Sequence, residues 1–153
     1  MKLLLDTNIL IDYYARRSPF FEGAVKLRIA QAFGDVELWA SALSFNDVEY
    51  VLRGAVGVEK LRGMMSKSLE FLDICVPAVQ DVHAGLESDW PDLESYLVAA
   101  SAQRVQADYI ITRDKRGFEK SPIPALAPDS FIDLMRTDYG VTYDELSLAD
   151  RLA

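Results

Sequence analysis

The chain is poor in thiol and imidazole groups, with one cysteine and one histidine among 153 residues. A lone Cys75 cannot close an internal disulfide, and it fits a reducing compartment. It lies in an apolar run and reads as a core residue. His83 has no motif around it, so neither a Ser–His–Asp nor a Cys–His arrangement is on offer. Positive charge is also scarce: 16 Lys and Arg against 24 Asp and Glu give a formal charge of −8. Proteins that coat nucleic acid neutralise phosphates with a basic face, and this balance argues against that role. It leaves open an enzyme that reaches phosphates through bound cations. No apolar run approaches the ~18 residues needed to span a bilayer. Met1-Lys2 leads straight into an apolar segment, so no signal peptide and no membrane partner are expected. The expectation is a soluble, cytoplasmic protein. Internal repeats and low-complexity tracts are missing too, and the length suits one domain with an ordinary core.

Apolar runs alternate with amphipathic stretches nearly to the end of the sequence. Leu3-Leu4-Leu5 is a short continuous apolar run stopped by polar residues, the pattern of a buried strand. Helical spacing follows over residues 8–14 and 19–33, and residues 36–40 make a second strand. Ser41 is a plausible cap for a helix carrying Phe45, Val48, Val51 and Leu52, which Gly54 and Gly57 interrupt. Residues 58–69 read as a helix, 71–76 as a strand and 79–87 as a short helix. Pro91 suits the first turn of a helix running to Val105, where its missing N–H costs nothing. Residues 108–112 form the next strand and 123–126 a weak last one, whose Pro124 is tolerable only at an edge. A helix over 129–136 completes the set. Strands separated by helices of this length imply parallel pairing. The predicted fold is α/β, a three-layer α/β/α sandwich around a central, mostly parallel sheet, over residues 1–136. Residues 137–153 form a C-terminal extension. Its stretch from Tyr143 to Leu152 is acidic, amphipathic and too short to be a stable helix alone.

Four acidic places fall where this topology gathers them. Asp6 ends the first strand, Asp47 lies early in the helix after the second, Asp92 and Glu94 open the helix after Pro91, and Asp114 follows the strand at 108–112. Ligands of open α/β sheets bind at the carboxyl ends of the strands. Carboxylates clustered there repel one another, so one titrates upward unless cations neutralise them. Mg²⁺ or Mn²⁺ answers that need with hard oxygen ligands, one or two direct carboxylates and several waters. Such a cation can activate water and stabilise charge on a phosphoryl group. Each acid also has a plainer reading. Asp6 could bond a loop, Asp47 could be a solvated helix acid, and Asp92 and Glu94 are favoured at a helix start by capping and dipole. Asp12 lies a helical turn from Asp6 and reads as a helix-surface acid.

Four segments carry a resemblance: Leu5-Asp6-Thr7-Asn8-Ile9-Leu10-Ile11-Asp12, Ala42-Leu43-Ser44-Phe45-Asn46-Asp47, Asp92-Leu93-Glu94-Ser95, and Thr112-Arg113-Asp114 followed by Gly117-Phe118. In this order and spacing the chain resembles the PIN domains, particularly the bacterial branch near VapC-type toxin ribonucleases. The resemblance implies a metal-dependent endoribonuclease that cuts single-stranded RNA with an acidic quartet. It also implies an antitoxin protein as partner and a homodimer. Asp6 and Asp114 carry over as metal-binding acids, and Asp47 stands near the place of the second acid. Asn8 and Thr112 match polar positions that support those acids. The third acid departs from the pattern: the family's Asp-x-Glu-Asp ends here in Ser95, a poor cation ligand, and Asp92 is the expected substitute, directly or through water. Arg104, Arg113, Lys115 and Arg116 either guide RNA past the acids or form a solvated basic cluster. Two further readings stand beside the nuclease. A weakened site, supported by Ser95, would leave an RNA- or protein-binding module. A phosphatase of the haloacid-dehalogenase type also starts with an apolar strand and aspartate, but wants a second aspartate where this chain has Asn8.

Overall fold

The computed structural model describes residues 1–144, so the predicted amphipathic stretch lies outside the described residues apart from Tyr143 and Asp144. The first strand, β1 (Lys2–Leu5), sets the layering. Alternate side chains of a strand face opposite sides of the sheet. Leu3 and Leu5 accordingly enter one core and Leu4 the other. The larger core is covered by α1 (Thr7–Tyr14), α2 (Phe21–Ala32), α3 (Ala42–Val56), α4 (Val58–Ser68) and α7 (Pro128–Tyr139). On the other face lies α6 (Leu93–Arg104), which presents Val98, Ala99 and Ala102 to Leu4 and Ile110. Outside it runs α5 (Val79–Glu87), where Gly85 meets Leu93 and Tyr96 so closely that an added Cβ would lie 2.7 Å from each. The three-layer expectation holds.

The sheet is parallel throughout, in the order β3-β2-β1-β4-β5, with β2 (Glu37–Ser41), β3 (Leu72–Cys75), β4 (Tyr109–Ile111) and β5 (Ala125–Leu126). From β1 the chain steps outward to β2 and β3, then crosses back to lay β4 on the other flank of β1. The two directions of winding part between β1 and β4. A crevice opens at the carboxyl ends of two such strands, and that is where open α/β sheets bind ligands. Leu5 pairs with Ala40 on one side and Ile111 on the other, so the residues after Leu5 and Ile111 emerge together.

Local signals explain most element ends, and several differ from expectation. Asp6 itself caps α1 by accepting the Thr7 N–H, so the helix starts one residue earlier than predicted. Ser41 accepts from the Leu43 N–H, as a cap should. Gly54 sits inside α3, and the helix stops only at Gly57, whose φ of +88° suits glycine. Pro91 precedes α6 instead of entering its first turn, because Asp92 takes the cap. The last helix runs to Tyr139 and ends where Gly140 turns left-handed at φ +68°. Beyond it Tyr143 is fully buried, donates to Asp35 Oδ2 at 2.9 Å and lies near-parallel to the Phe33 ring, pinning the segment after α7 beside the entry to β2.

Candidate active site

The residues leaving β1 and β4 build the floor of an open cleft of about 510 Å³. Asp6, Thr7, Asn8 and Ile11 come from β1 and α1, Asp47, Tyr50 and Val51 from α3, and Asp92, Glu94 and Ser95 from the start of α6. Asp114, three residues past β4, completes the lining. The topology thus brings all four predicted acids to one cleft. It adds Glu94, read from the sequence as a helix-start acid, and the α3 residues Tyr50 and Val51.

Asp6 is only 7% exposed. Its Oδ1 accepts the Thr7 N–H at 2.8 Å, and its Oδ2 accepts Asn8 Nδ2 at 2.6 Å and the Thr112 hydroxyl at 2.7 Å. Those partners are themselves tied down. Thr112 Oγ1 accepts the Asp114 N–H at 2.9 Å, and Asn8 Oδ1 accepts the Arg113 N–H at 3.2 Å. Thr7 donates to Ser44 Oγ at 2.9 Å, linking α1 to α3. Asn8 and Thr112 therefore fix where the Asp6 carboxylate points.

Burial raises the Asp6 pKa from 3.8 to about 6. The Thr112 hydroxyl and the Thr7 amide oppose that shift, while the negative charges of Glu94 and Asp114 add to it. In the folded protein Asp6 holds a proton between roughly pH 4 and 6 that the unfolded chain has released. Its contribution to stability therefore falls as pH rises through that window. Comparing wild type with Asp6→Asn isolates this term. Between pH 4 and pH 7 the wild type should lose about 2–3 kcal/mol relative to the variant in denaturant unfolding. A difference that does not change with pH would contradict the buried, repelled carboxylate.

Asp114 is exposed at the rim. Its Oδ1 accepts the Gly117 N–H at 3.3 Å, which curls the short turn Arg116–Phe118 beneath it. A Cβ on Gly117 would come within 2.9 Å of Ser95 Oγ and 3.1 Å of Asp114 Oδ2, so Ser95 stands beside Asp114. Asp92 acts as the N-cap of α6: Oδ1 accepts the Ser95 N–H at 2.7 Å and Oδ2 the Ser95 hydroxyl at 3.0 Å. Asp47 is half-buried on the α3 wall. Among the described residues no three acidic, histidine or cysteine side chains converge closely enough to form a ready-made metal cage.

Two expectations need correction. Asp12 is not a surface acid but 1% exposed, and it accepts Arg113 Nε at 2.7 Å and NH2 at 3.3 Å. That ion pair and the Phe20 ring, 4.1 Å beneath the guanidinium, hold Arg113. Arg104 likewise grips Asp81 with two bonds between α6 and α5. Neither arginine belongs to a free basic cluster; Lys115 and Arg116 remain exposed beside Asp114.

A parallel five-stranded sheet with an acid-lined cleft at its switch point is the architecture of an α/β domain that takes its ligand at the carboxyl rim of the sheet. The family model described as PIN domain matches residues 2–116, and the chain belongs to that family. A comparison with curated proteins finds no match. Among solved structures the chain is similar to a toxin–antitoxin complex from Klebsiella pneumoniae, with TM-score 0.57 and 23% identity over 82% of this chain and 97% of that one. It is similar also to VapBC-1 from nontypeable Haemophilus influenzae, with TM-score 0.61 and 17% identity over 84% and 99%. VapBC2 from Rickettsia felis, solved bound to a DNA fragment from its promoter, gives TM-score 0.59 and 15% identity over 83% and 98%. At these identities the likeness concerns the fold. In the described residues no helix is long and apolar enough to cross a membrane.

Proposed function

We propose that this PIN-domain protein is a divalent-metal-dependent endoribonuclease that cleaves single-stranded RNA, acting as the toxin of a toxin–antitoxin pair. The observation that carries this reading is the buried Asp6 carboxylate, fixed by three donors while Glu94 and Asp114 press negative charge upon it. Such a group is poised for a cation, which would reverse the repulsion and favour the ionised form. The donor set fits Mg²⁺ or Mn²⁺, which need only one or two direct carboxylates and keep several waters. Asp6 and Asp114 would hold the cation, Asp47 would face it from α3, and Asp92 would hold the start of α6 against the cleft. When bound, the cation would activate the attacking water and offset charge on the phosphodiester. Asn8 and Thr112 keep Asp6 oriented toward the cleft, and the turn at Gly117 keeps Asp114 beside it. No side-chain nucleophile is required.

The toxin–antitoxin character of the similar structures supports an antitoxin partner, and a homodimer belongs to the same reading. The test is cleavage of single-stranded RNA by purified protein with Mn²⁺. Excess EDTA should abolish it, and Asp114→Asn should lower it by about a hundredfold or more. Cleavage indifferent to EDTA would overturn the mechanism.

A further inference from the structure

Building on that reading, we propose that the cleft holds the RNA strand between unlike walls, a base stacked on Tyr50 of α3 and the phosphate backbone along Arg116. Tyr50 is 71% exposed and belongs to neither core. It nonetheless lines the Asp6 cleft, one helical turn beyond Asp47 on the same side of α3. The Arg53 guanidinium stands over its ring, 5.1 Å from the centroid, and at that exposure the opposite face is open. A flat π surface beside a nuclease cleft offers what an unstacked base needs, and every base has a matching face. Charged Asp47 and Arg53 border the ring, so a single base fits it better than the extended apolar surface of a protein.

The other wall carries the opposite chemistry. β2 and β4 flank β1, so α3, which follows β2, and the turn Arg116–Phe118, which follows β4, stand on either flank of Asp6. Arg116 lines a hollow of about 360 Å³ that borders Gly117, the residue packed against Asp114 and Ser95. Lys120 shares that hollow but is held by Asp89 at 2.6 Å. Arg116 enters none of the ion pairs formed among the described residues. A single strand has phosphates along one edge and bases along the other, and the two walls match those edges. The overall charge of −8 explains why both are required. A net negative field repels RNA, so cations alone hold it weakly, and stacking adds attraction that charge does not oppose.

Steady-state cleavage of a short oligoadenylate with Mn²⁺ tests the two walls separately. Tyr50→Ala should raise KM at least about fivefold with kcat within about twofold, the loss of one stacked base. Tyr50→Trp should keep KM within about twofold of wild type, because the indole also stacks. A strand of abasic sugar-phosphate units, added as inhibitor, should bind wild type and Tyr50→Ala equally, since it has no base to stack. Arg116→Ala should weaken both strands alike and lower the salt slope of binding by about 0.7. An unchanged KM in Tyr50→Ala would overturn the stacking, leave the metal-nuclease reading standing and turn Tyr50 toward a protein contact. Equal weakening of the abasic strand and oligoadenylate by Tyr50→Ala would overturn it too. Arg116→Ala without effect on either strand would overturn the backbone path. Absence of Mn²⁺-dependent cleavage by the wild type would overturn both this proposal and the nuclease reading.

Discussion

Asp6→Asn should lower metal-dependent RNA cleavage by about a thousandfold or more, with the protein still folded. The side chains are nearly isosteric, so the amide oxygen can keep the Thr7 N–H that caps α1. The other oxygen becomes an NH₂ facing the Asn8 amide and the Thr112 hydroxyl, both of which donate to Asp6 Oδ2 in the wild type. Those two contacts are lost and, more importantly, the charge goes. The fold tolerates this because the charged form of Asp6 is itself a burden at neutral pH, as its raised pKa records. Residues held in place for chemistry at a cost in stability behave in this way. The pair of measurements is therefore diagnostic: cleavage collapses while urea unfolding at pH 7 shows a variant no less stable than wild type within about 1 kcal/mol. Full activity in Asp6→Asn would remove Asp6 from the reaction. A phosphatase of the haloacid-dehalogenase type would instead form a phosphoryl ester on Asp6. The structure gives the residue two positions later a different task, since Asn8 donates to Asp6 and has no proton to exchange as an acid.

How far the sequence foretold this site follows from the range of each interaction. Asp6 and Asp114 were legible because a strand end is a local signal: an apolar run stops, and a polar residue must emerge at the sheet's rim. The alternation of β1 between two cores needed only Leu3, Leu4 and Leu5 in a row. Asp12 was not legible, because its partner Arg113 lies 101 residues away and meets it only once β4 is laid beside β1. Read on its own helix, an acid one turn past Asp6 looks solvated. The start of α6 was legible only in part. Asp92, Glu94 and Ser95 all satisfy a helix-start rule, and sequence spacing does not say which oxygen is consumed by the cap. The structure separates them through the two bonds that Ser95 makes to Asp92. Gly57 and Gly140 stop their helices because the backbone turns to positive φ there, whereas Gly54 keeps helical geometry, a distinction composition does not contain.

The Asp12–Arg113 pair carries the second large effect, and it ties stability to the site. Arg113→Ala should destabilise the protein by about 3 kcal/mol, because it strands the buried Asp12 carboxylate without its partly exposed partner. For a chain of this size that is a fall of about 6–12 °C in melting temperature. The reason is the burial of Asp12, which is already pushed upward by desolvation and is drawn back by Arg113. Without the guanidinium it must take up a proton or drag water into the core. Arg113 also sits between Thr112, which donates to Asp6, and Asp114, while its guanidinium lies over Phe20. Releasing it should loosen both ends of that segment, so cleavage should fall along with stability. The double variant Asp12→Ala, Arg113→Ala removes the stranded charge. Its loss should be smaller than the sum of the single losses by about 2 kcal/mol. Additive losses, or a single-variant cost below about 1 kcal/mol, would mean that the pair behaves as an exposed surface bridge. In that case the strand-end segment would be held by its backbone bond to Asn8 and by Thr112 alone.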